Sequence, residues 1–239
     1  MNKCKNCNAE LNGNYCSNCG QPAKLKRIDA HYIKHEIENG LNFDKGIFYT
    51  IKELLIKPGK NVREFLTETR SRLVKPIIFI IVTSLIYTLV NHFFHIEEQY
   101  VKFNETNVTT TGSIMRWIQE NYGYANILMG IFIAFFIKLF FRKSSYNFYE
   151  ILILLCFVMG ISMLIVTLFA LIQGLTHTDL MQISGILFLV YSTFAIADFF
   201  DKRKAKNYLK SFVAYMLGMI TFFVSAIILG NVIDLIIKH

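Results

Sequence analysis

The chain has 239 residues, of which 54% are hydrophobic, including 22 Phe, and its formal net charge is +8. A soluble domain of this length needs far less apolar surface, so the composition argues against a soluble enzyme and for a membrane protein. The first thirty residues lack the apolar stretch and cleavage site of a secretory signal peptide, and we therefore expect a cytoplasmic N-terminus.

Four cysteines stand in two pairs near the start of the chain, in the stretch CKNCNAELNGNYCSNCG. Cys4, Cys7, Cys16 and Cys19 follow the spacing C-x2-C-x8-C-x2-C. Two residues between cysteines let one tight turn direct both sulfur atoms at the same point, and two such turns supply four thiolates to a tetrahedral ion. The residues that follow the pairs, Asn8 and Gly20, are the types that best tolerate a left-handed backbone.

We predict that residues 1–22 form a zinc ribbon, in which the four cysteines bind one structural Zn²⁺. The eight residues between the pairs are too few for a hydrophobic core, so metal binding must supply the folding free energy. Iron is the main competing metal. Two disulfides are the alternative without a metal, but they fit poorly with a reducing compartment.

A basic segment, residues 23–75, links the ribbon to the first apolar run, and it is predicted to contain two short amphipathic helices. The apolar residues of the first helix share one face, and they are Ile47, Phe48, Ile51, Leu54 and Leu55. The basic residues that fall outside this stripe are Lys45, Lys52 and Lys57. Pro58-Gly59 is expected to end this helix, and Asn61 is expected to cap a second one that carries Phe65 and Leu66.

Short amphipathic helices with basic flanks, placed just before a membrane span, are typical of elements that lie on the inner leaflet. We therefore expect lipid-surface or partner contacts from Lys45, Ile47, Phe48, Ile51, Leu55, Pro58, Gly59 and Phe65. The alternative is that the apolar faces of these helices dock on the transmembrane bundle.

Five apolar stretches follow and define a transmembrane domain at residues 76–239. They run from Pro76 to Phe94, Tyr124 to Phe141, Ile151 to Ile172, Leu180 to Phe200 and Phe212 to Ile237. Each reaches, or nearly reaches, the roughly 20 residues that cross a hydrocarbon core of about 30 Å. The predicted fold is therefore an all-α integral membrane protein, with a five-helix transmembrane bundle behind the amphipathic helices and the ribbon.

The distribution of basic residues predicts the orientation of the bundle. Arg142 and Lys143 lie between the second and third stretches. The connection between the fourth and fifth stretches carries Lys202, Arg203, Lys204, Lys206 and Lys210. Because basic loops stay inside, we expect a bacterial inner-membrane protein with a cytoplasmic N-terminus and an external C-terminus.

The stretch GIFYTIKELLIKPGKNVREFLTETRSRLVKPIIFI resembles the bacterial domain-of-unknown-function 3667 family. The family pattern pairs a PG turn with a basic, Pro-led start of the first span, and the matching residues are Pro58, Gly59, Phe65, Leu66, Arg70, Arg72 and Pro76. The resemblance is best over residues 1–90. Over the remaining spans it is limited to the general membrane character of the sequence. The arrangement is also similar to that of Yip1-type membrane proteins. The resemblance implies a membrane architecture and lends no catalytic residues.

Ionisable residues near the ends of spans are further candidate site residues. Glu150 and Asp198 are expected at the cytoplasmic ends of the third and fourth spans, in inter-helix ion pairs or at the entrance of a proton or ion relay. A second polar group is expected on the outer side and includes His92, His95, His177, Asp179 and Asp234. It has the residue types of a metal or pH-sensing site, although polar residues are also ordinary at helix ends.

The features together favour a non-enzymatic scaffold whose zinc ribbon recruits a cytoplasmic protein at an anionic inner leaflet. The first alternative is a transporter or lipid-handling protein, for which a homo-oligomer is expected. The second is a membrane enzyme that uses the outer His/Glu/Asp group. We expect no nucleic-acid partner, because the basic segment lacks interleaved aromatic residues and anionic lipid explains its charge more simply.

Overall fold

The computed structural model of the chain describes residues 3–11, 13–23, 27–30, 32, 46–94 and 109–237. The described part is helical and has no β-strand, apart from two isolated bridges in the ribbon. The predicted all-α class is therefore confirmed. The helices with described bounds are α1 (Ile47–Ile56), α2 (Pro58–Thr67), α3 (Pro76–Phe94), α4 (Thr110–Glu120), α5 (Tyr122–Phe140), α6 (Phe148–Thr176), α7 (Met181–Asp201) and α8 (Ala205–Ile237).

Five of these helices, α3 and α5 to α8, are long and apolar enough to cross a membrane. They coincide with the five predicted spans, but two of them are longer than predicted. The helix α6 has 29 residues and α8 has 33, which correspond to rises of about 44 Å and about 50 Å. Hydropathy marks only the part of a helix that lies in hydrocarbon, whereas the polar ends of α6 and α8 continue the same helix beyond it.

The helix α6 forms the centre of the bundle, since 67% of its apolar window is buried, more than in any other span. It packs against α3, α5 and α7. The contact with α3 is close at Gly160, where an added Cβ would lie 2.6 Å from Phe79 Cε1, and at Gly174, where it would lie 2.2 Å from Phe94 Cδ1. The Phe157 ring contacts Phe79 and Phe65, with centroid distances of 5.8 and 5.3 Å. The core therefore extends from α3 through α6 to α2.

The two ends of the bundle differ in what packs on them. The connections 141–147 and 202–204 lie at one end, and the connection 177–180 lies at the other. Arg27 and the start of α2 contact the first end, which we call the ribbon end, and the ribbon contacts Glu68 at the C-terminal end of α2. Because Arg27 follows Cys19 by eight residues, the cysteines are held near the end of the molecule that carries the basic connections.

The helix α2 docks on the bundle, which is the alternative to the predicted position on the leaflet. Its buried residues are Pro58, Gly59, Asn61, Val62, Phe65 and Leu66. Pro58, Gly59 and Phe65 are thus not free for the lipid or partner contacts that we expected of them. The reason is that α2 meets both α6 and α7, so its apolar face is covered by protein.

The helix α2 also begins earlier than predicted, at Pro58. Proline suits the first helical position because no N–H is needed there. Asn61 was expected to cap α2, but its Nδ2 atom donates to Glu53 O at 2.8 Å and to Lys57 O at 2.9 Å. These carbonyls belong to the C-terminal end of α1, so Asn61 closes α1 instead of starting α2.

The helix α4 was not predicted, and it lies between the first and second spans. The Thr109 side chain caps it by accepting a hydrogen bond from Gly112 N. Asp234 on α8 accepts the Thr110 N–H at 2.9 Å. At Gly230 the two helices nearly touch, since an added Cβ would lie 2.6 Å from Thr111 Cα. Asp234 therefore helps to hold α4 on α8.

Candidate metal centre

The two cysteine pairs form two turns with the same hydrogen-bond pattern. The N–H of Cys4 donates to Ala9 O, and the N–H of Cys16 donates to Gln21 O, each at 2.8 Å. These bonds close each turn around its own pair of sulfur atoms. The ribbon is therefore built from two copies of one local structure, which we call the first and the second turn.

Asn8 and Gly20 occupy equivalent places in the two turns. Each donates its N–H to the carbonyl of the first cysteine of its pair at 2.9 Å. Their φ values are 61° and 71°, a left-handed backbone that glycine adopts freely and asparagine tolerates. The conformation predicted for these two residues is confirmed.

The four cysteine sulfur atoms converge, and all lie within 4.8 Å of one another. The Cys4–Cys19 sulfur distance is 3.6 Å and the Cys7–Cys16 distance is 3.5 Å. A disulfide needs about 2.05 Å, so these sulfur atoms are not bonded to each other. A tetrahedral ion with metal–sulfur bonds of about 2.3 Å separates its ligands by about 3.8 Å. The donor set therefore fits a four-coordinate metal.

The close packing of four thiols favours a bound cation. The Ala9 N–H and the Asn18 side chain hydrogen-bond to the Cys7 sulfur and lower the pKa of Cys7 to about 6. The N–H groups of Cys19 and Asn18 also lower the pKa of Cys16, but burial and the neighbouring thiols outweigh them and raise it to about 11. Ionising all four thiols thus meets mutual repulsion, which a divalent cation removes.

The cysteine cluster is a closed site. Within the described ranges it is the one group of three or more His, Cys, Asp or Glu side chains placed to hold a metal. Four protein ligands fill a tetrahedral coordination sphere and leave no position for substrate or water. The arrangement is therefore that of a structural metal centre.

The ribbon sits on the C-terminal end of α2. Gln21 Nε2 donates to Glu68 O at 2.7 Å. Lys5 Nζ lies 4.0 Å from Glu68 Oε1, a solvent-exposed pair that contributes little stability. The side chain of Tyr15, by contrast, is 68% exposed, and the second turn beside it is exposed at residues 17–20. One side of the ribbon is thus attached and the other faces solvent.

Glu150 is held by a residue of the basic segment. Arg27 donates from Nε and Nη2 to its two carboxylate oxygens at 3.0 and 3.1 Å, and this contact raises the pKa of Arg27. Asn147 forms a capping box with Glu150 at the start of α6 and donates from Nδ2 to Ile28 O at 2.9 Å. The ion pair expected between neighbouring helices therefore joins α6 to the basic segment instead.

Asp198 and Arg63 join α7 to α2 by capping each other's helix. Asp198 Oδ2 accepts the Gly59 N–H at 2.9 Å, at the N-terminus of α2. Arg63 Nη1 donates to Phe199 O at 2.8 Å and also contacts Asp198 O, at the C-terminal end of α7. Lys202 Nζ lies 3.9 Å from Asp198 Oδ1. The sequence contains no local signal for these partners.

Arg72 ties together the two helices that precede the bundle. Its Nη2 and Nη1 atoms lie 3.0 Å from Glu53 Oε2 and 2.6 Å from Glu64 Oε2. Its Nε donates to the Tyr49 hydroxyl at 2.8 Å. The hydrogen bond to Tyr49 and the two carboxylates raise the pKa of Arg72. Arg72 is one of the residues on which the sequence resemblance rests, but its partners depend on the angle between α1 and α2.

The apolar stripe of α1 is divided between the bundle and the outside. Ile47 and Ile51 are partly buried and pack against the core. Phe48 is 82% exposed and Leu55 is 47% exposed, so these two side chains are available for contact with lipid or a partner. Lys45, which was expected beside them, lies outside the described residues.

The predicted outer polar group is not assembled into a metal site by the described residues. His92 lies in the last turn of α3, and Asp234 accepts the Thr110 N–H. His177 has a left-handed backbone at the end of α6, with φ at 56°. His95 lies outside the described residues. A site on this side stays a prediction.

Comparison with known proteins links the middle of the chain to a family. A family model described as "Protein of unknown function (DUF3667)" matches residues 44–88. Neither the curated proteins nor the solved structures include a match to the chain, so the likeness to Yip1-type proteins stays a prediction. The matched segment contains α1, α2 and most of α3, with Pro58, Gly59 and Arg72. Over residues 44–88 the resemblance to the DUF3667 family that was predicted from the sequence is thus confirmed.

Proposed function

We propose that the protein is a non-enzymatic scaffold of the bacterial inner membrane, whose zinc ribbon recruits a cytoplasmic protein. The observation that carries this proposal is the position of the ribbon, which is attached to α2 through Gln21 and Glu68 while Tyr15 is 68% exposed. A surface held in one orientation needs no ordering when a partner binds, which favours affinity. An exposed tyrosine amid polar residues is a common anchor of protein interfaces.

Zn²⁺ is the proposed ion, because a closed set of four thiolates suits its tetrahedral coordination. One zinc per chain should remain with the protein after purification in detergent. Elemental analysis measures the zinc, and it also detects iron. A stoichiometric iron content with thiolate-to-iron absorption would contradict the assignment.

The recruitment proposal is tested by recovering the protein from its own membranes after reversible crosslinking. Wild type is compared with Tyr15→Ala, which keeps the ligands, and with the double variant Cys4→Ser, Cys16→Ser, which loses them. We expect one cytoplasmic protein to be recovered with wild type and lost from both variants. Tyr149→Ala is the control, because Tyr149 is also at the ribbon end and 36% exposed. Unchanged recovery with Tyr15→Ala and the double variant would refute the proposal.

A second candidate function, lipid handling, is favoured by a cavity in the half of the bundle away from the ribbon. The cavity has a volume of about 410 Å³ and is lined by residues of the six helices α3 to α8. Its lining is mostly apolar, with Met129, Met163, Met181 and Met219 among the residues and Asn126 as a polar one. Flexible methionine side chains adapt to apolar ligands of varied shape.

Gly185 offers a direct test of this second function. It lines the cavity, and an added Cβ there would meet no atom within 4 Å. Gly185→Phe should therefore fill the cavity without disturbing the helices, whereas Gly185→Ala should leave it open. Native mass spectrometry of the purified protein should show an apolar ligand in wild type and Gly185→Ala but not in Gly185→Phe. The same ligand in all three forms would exclude the cavity as its site.

A further inference from the structure

A basic pocket of about 410 Å³ lies at the ribbon end, between the connections that join α5 to α6 and α7 to α8. Arg142 and Lys143 come from the first connection, and Lys204 and Lys210 come from the second connection and the start of α8. The lining includes one carboxylate, Asp201, whose Oδ2 lies 3.1 Å from Lys204 Nζ. Positive charge therefore exceeds negative charge in this pocket.

Part of the donor capacity of the pocket is not used by the protein, although Lys210 Nζ donates to Phe140 O at 3.5 Å. Within the described ranges, Arg142, Lys143 and Lys210 have no carboxylate within ion-pair distance. Ser144 Oγ is buried and has no hydrogen-bond partner among the described residues. A buried hydroxyl without a partner is unfavourable, and a bound acceptor would satisfy it.

The pocket has a rigid apolar floor. The Phe141 and Phe200 rings stack with a centroid distance of 3.9 Å and an interplanar angle of 5°. Lys210 Nζ lies 5.6 Å from the centroid of the Phe141 ring. Asn207 Nδ2 donates to Asp201 O at 2.9 Å and fixes the second connection. The lining is thus partly preorganised, with cations at its rim and rings at its base.

We propose that this pocket binds a phosphate-bearing anion, supplied by the headgroup of an anionic phospholipid. Guanidinium, ammonium and hydroxyl donors are the groups that bind phosphate oxygens. Basic pockets between spans on the cytoplasmic side bind anionic headgroups, and this pocket lies at the ends of three helices of spanning length, α5, α7 and α8. A soluble phosphate ester shares this chemistry and is a separate arm of the test.

The site is distinct from the exposed side of the ribbon, so it does not depend on the recruitment proposal. A headgroup in the pocket would contact both connections at once and hold α5–α6 against α7–α8. Binding to the folded state alone raises the melting temperature with ligand concentration. Phosphatidylglycerol should therefore stabilise the protein more than phosphatidylcholine does.

The test uses full-length protein purified in a neutral detergent. Native mass spectrometry measures adducts of phosphatidylglycerol, of phosphatidylcholine and of soluble glycerol phosphate. Arg142→Gln combined with Lys143→Gln should weaken phosphatidylglycerol binding more than tenfold, since each cation near an anionic headgroup accounts for about fivefold. Lys206→Gln is the matched control, because Lys206 is exposed two residues from Lys204 but does not line the pocket. Ser144→Ala removes the buried hydroxyl without changing charge.

The outcomes separate the lipid from the soluble source. Phosphatidylglycerol adducts that weaken in the double variant and in Ser144→Ala, but not in Lys206→Gln, support a headgroup site. Glycerol phosphate adducts with the same dependence, without phosphatidylglycerol adducts, would overturn the lipid assignment and leave a soluble phosphate ester as the ligand. Equal adducts of every kind in wild type and all variants would overturn the site itself. The melting temperature of each variant without lipid confirms that it is folded.

Discussion

At the scale of single residues, Gly59 determines how closely α2 approaches α7. An added Cβ would lie 2.3 Å from both Asp198 C and Phe199 N. These are backbone atoms, so no side-chain rotation relieves the contact. The same close approach brings the Gly59 N–H to 2.9 Å from Asp198 Oδ2. The glycine at position 59 is therefore explained by packing between helices and not by a turn.

Replacing Gly59 with alanine should destabilise the protein by about 1–3 kcal/mol, because overpacking against fixed backbone forces α2 away from α7. Thermal unfolding of the purified protein in detergent measures the change. Gly185→Ala is the control, since its added Cβ would meet no atom within 4 Å and alanine favours a helix. Equal melting temperatures for wild type and Gly59→Ala would contradict the packing described here.

Arg27 attaches the basic segment to the bundle through its bidentate contact with Glu150 at the start of α6. Asn147 adds a hydrogen bond to Ile28 O, so residues 27–28 are held on α6. Arg27→Gln should release this part of the segment and speed its cleavage by chymotrypsin, while the unfolding of the bundle should not change. Glu150→Ala should also speed cleavage and, in addition, lower the melting temperature, since it removes the side chain that accepts the Asn147 N–H in the capping box of α6. A cleavage rate equal to that of wild type in both variants would contradict this role.

At the scale of structural elements, the ribbon and α2 differ in what stabilises them. The ribbon has two short turns and a thiolate cluster, so its folding free energy must come from the metal. The helix α2 has Phe65 packed edge-on against Phe157 at 5.3 Å, so its stability comes from burial against α6. The two elements touch at Glu68 but should respond separately to metal removal.

Removal of the metal by a strong chelator should therefore unfold the ribbon and leave the helices folded. One zinc per chain should leave, and residues 3–23 should become sensitive to protease. Circular dichroism should report helix content close to that of the untreated protein. A large loss of helix on chelation would show that the metal stabilises the bundle as well.

At the scale of the whole molecule, Arg27, the basic connections and the start of α2 meet at one end of the bundle, and the ribbon is attached to α2. The connection 177–180 and the helix α4 lie at the other end. Connections rich in Lys and Arg next to transmembrane helices stay on the cytoplasmic side. Reduced cysteines suit the same compartment. Charge and cysteine chemistry thus predict the same orientation.

Labelling of single introduced cysteines tests this orientation in intact cells. A membrane-impermeant maleimide should label Asp179→Cys, because Asp179 is exposed in the connection 177–180. It should not label Lys204→Cys at the ribbon end until the membrane is opened. The reverse result would place the ribbon outside and remove the basis for a cytoplasmic partner.

Short-range features of this protein were predictable from the sequence. The metal ligands and the left-handed Asn8 and Gly20 lie within turns of a few residues, where spacing alone limits the geometry. The five spans follow from hydropathy, because a lipid-facing helix must be apolar along its length. The start of α2 was misjudged because Asn61 has the residue type of an N-cap, yet its amide donates to the carbonyls of α1.

Local patterns are therefore enough to establish the helical membrane class, the thiolate cluster and the excess of basic residues at alternate connections. The partners of Glu150 and Asp198 are established only by packing, since they join residues 123 and 139 positions apart. The docking of α2 and the basic pocket are also established only by packing, because each requires helices distant in sequence to meet. Residue spacing limits the geometry that residues close in sequence can adopt, whereas contacts between remote helices depend on how all of the helices pack together.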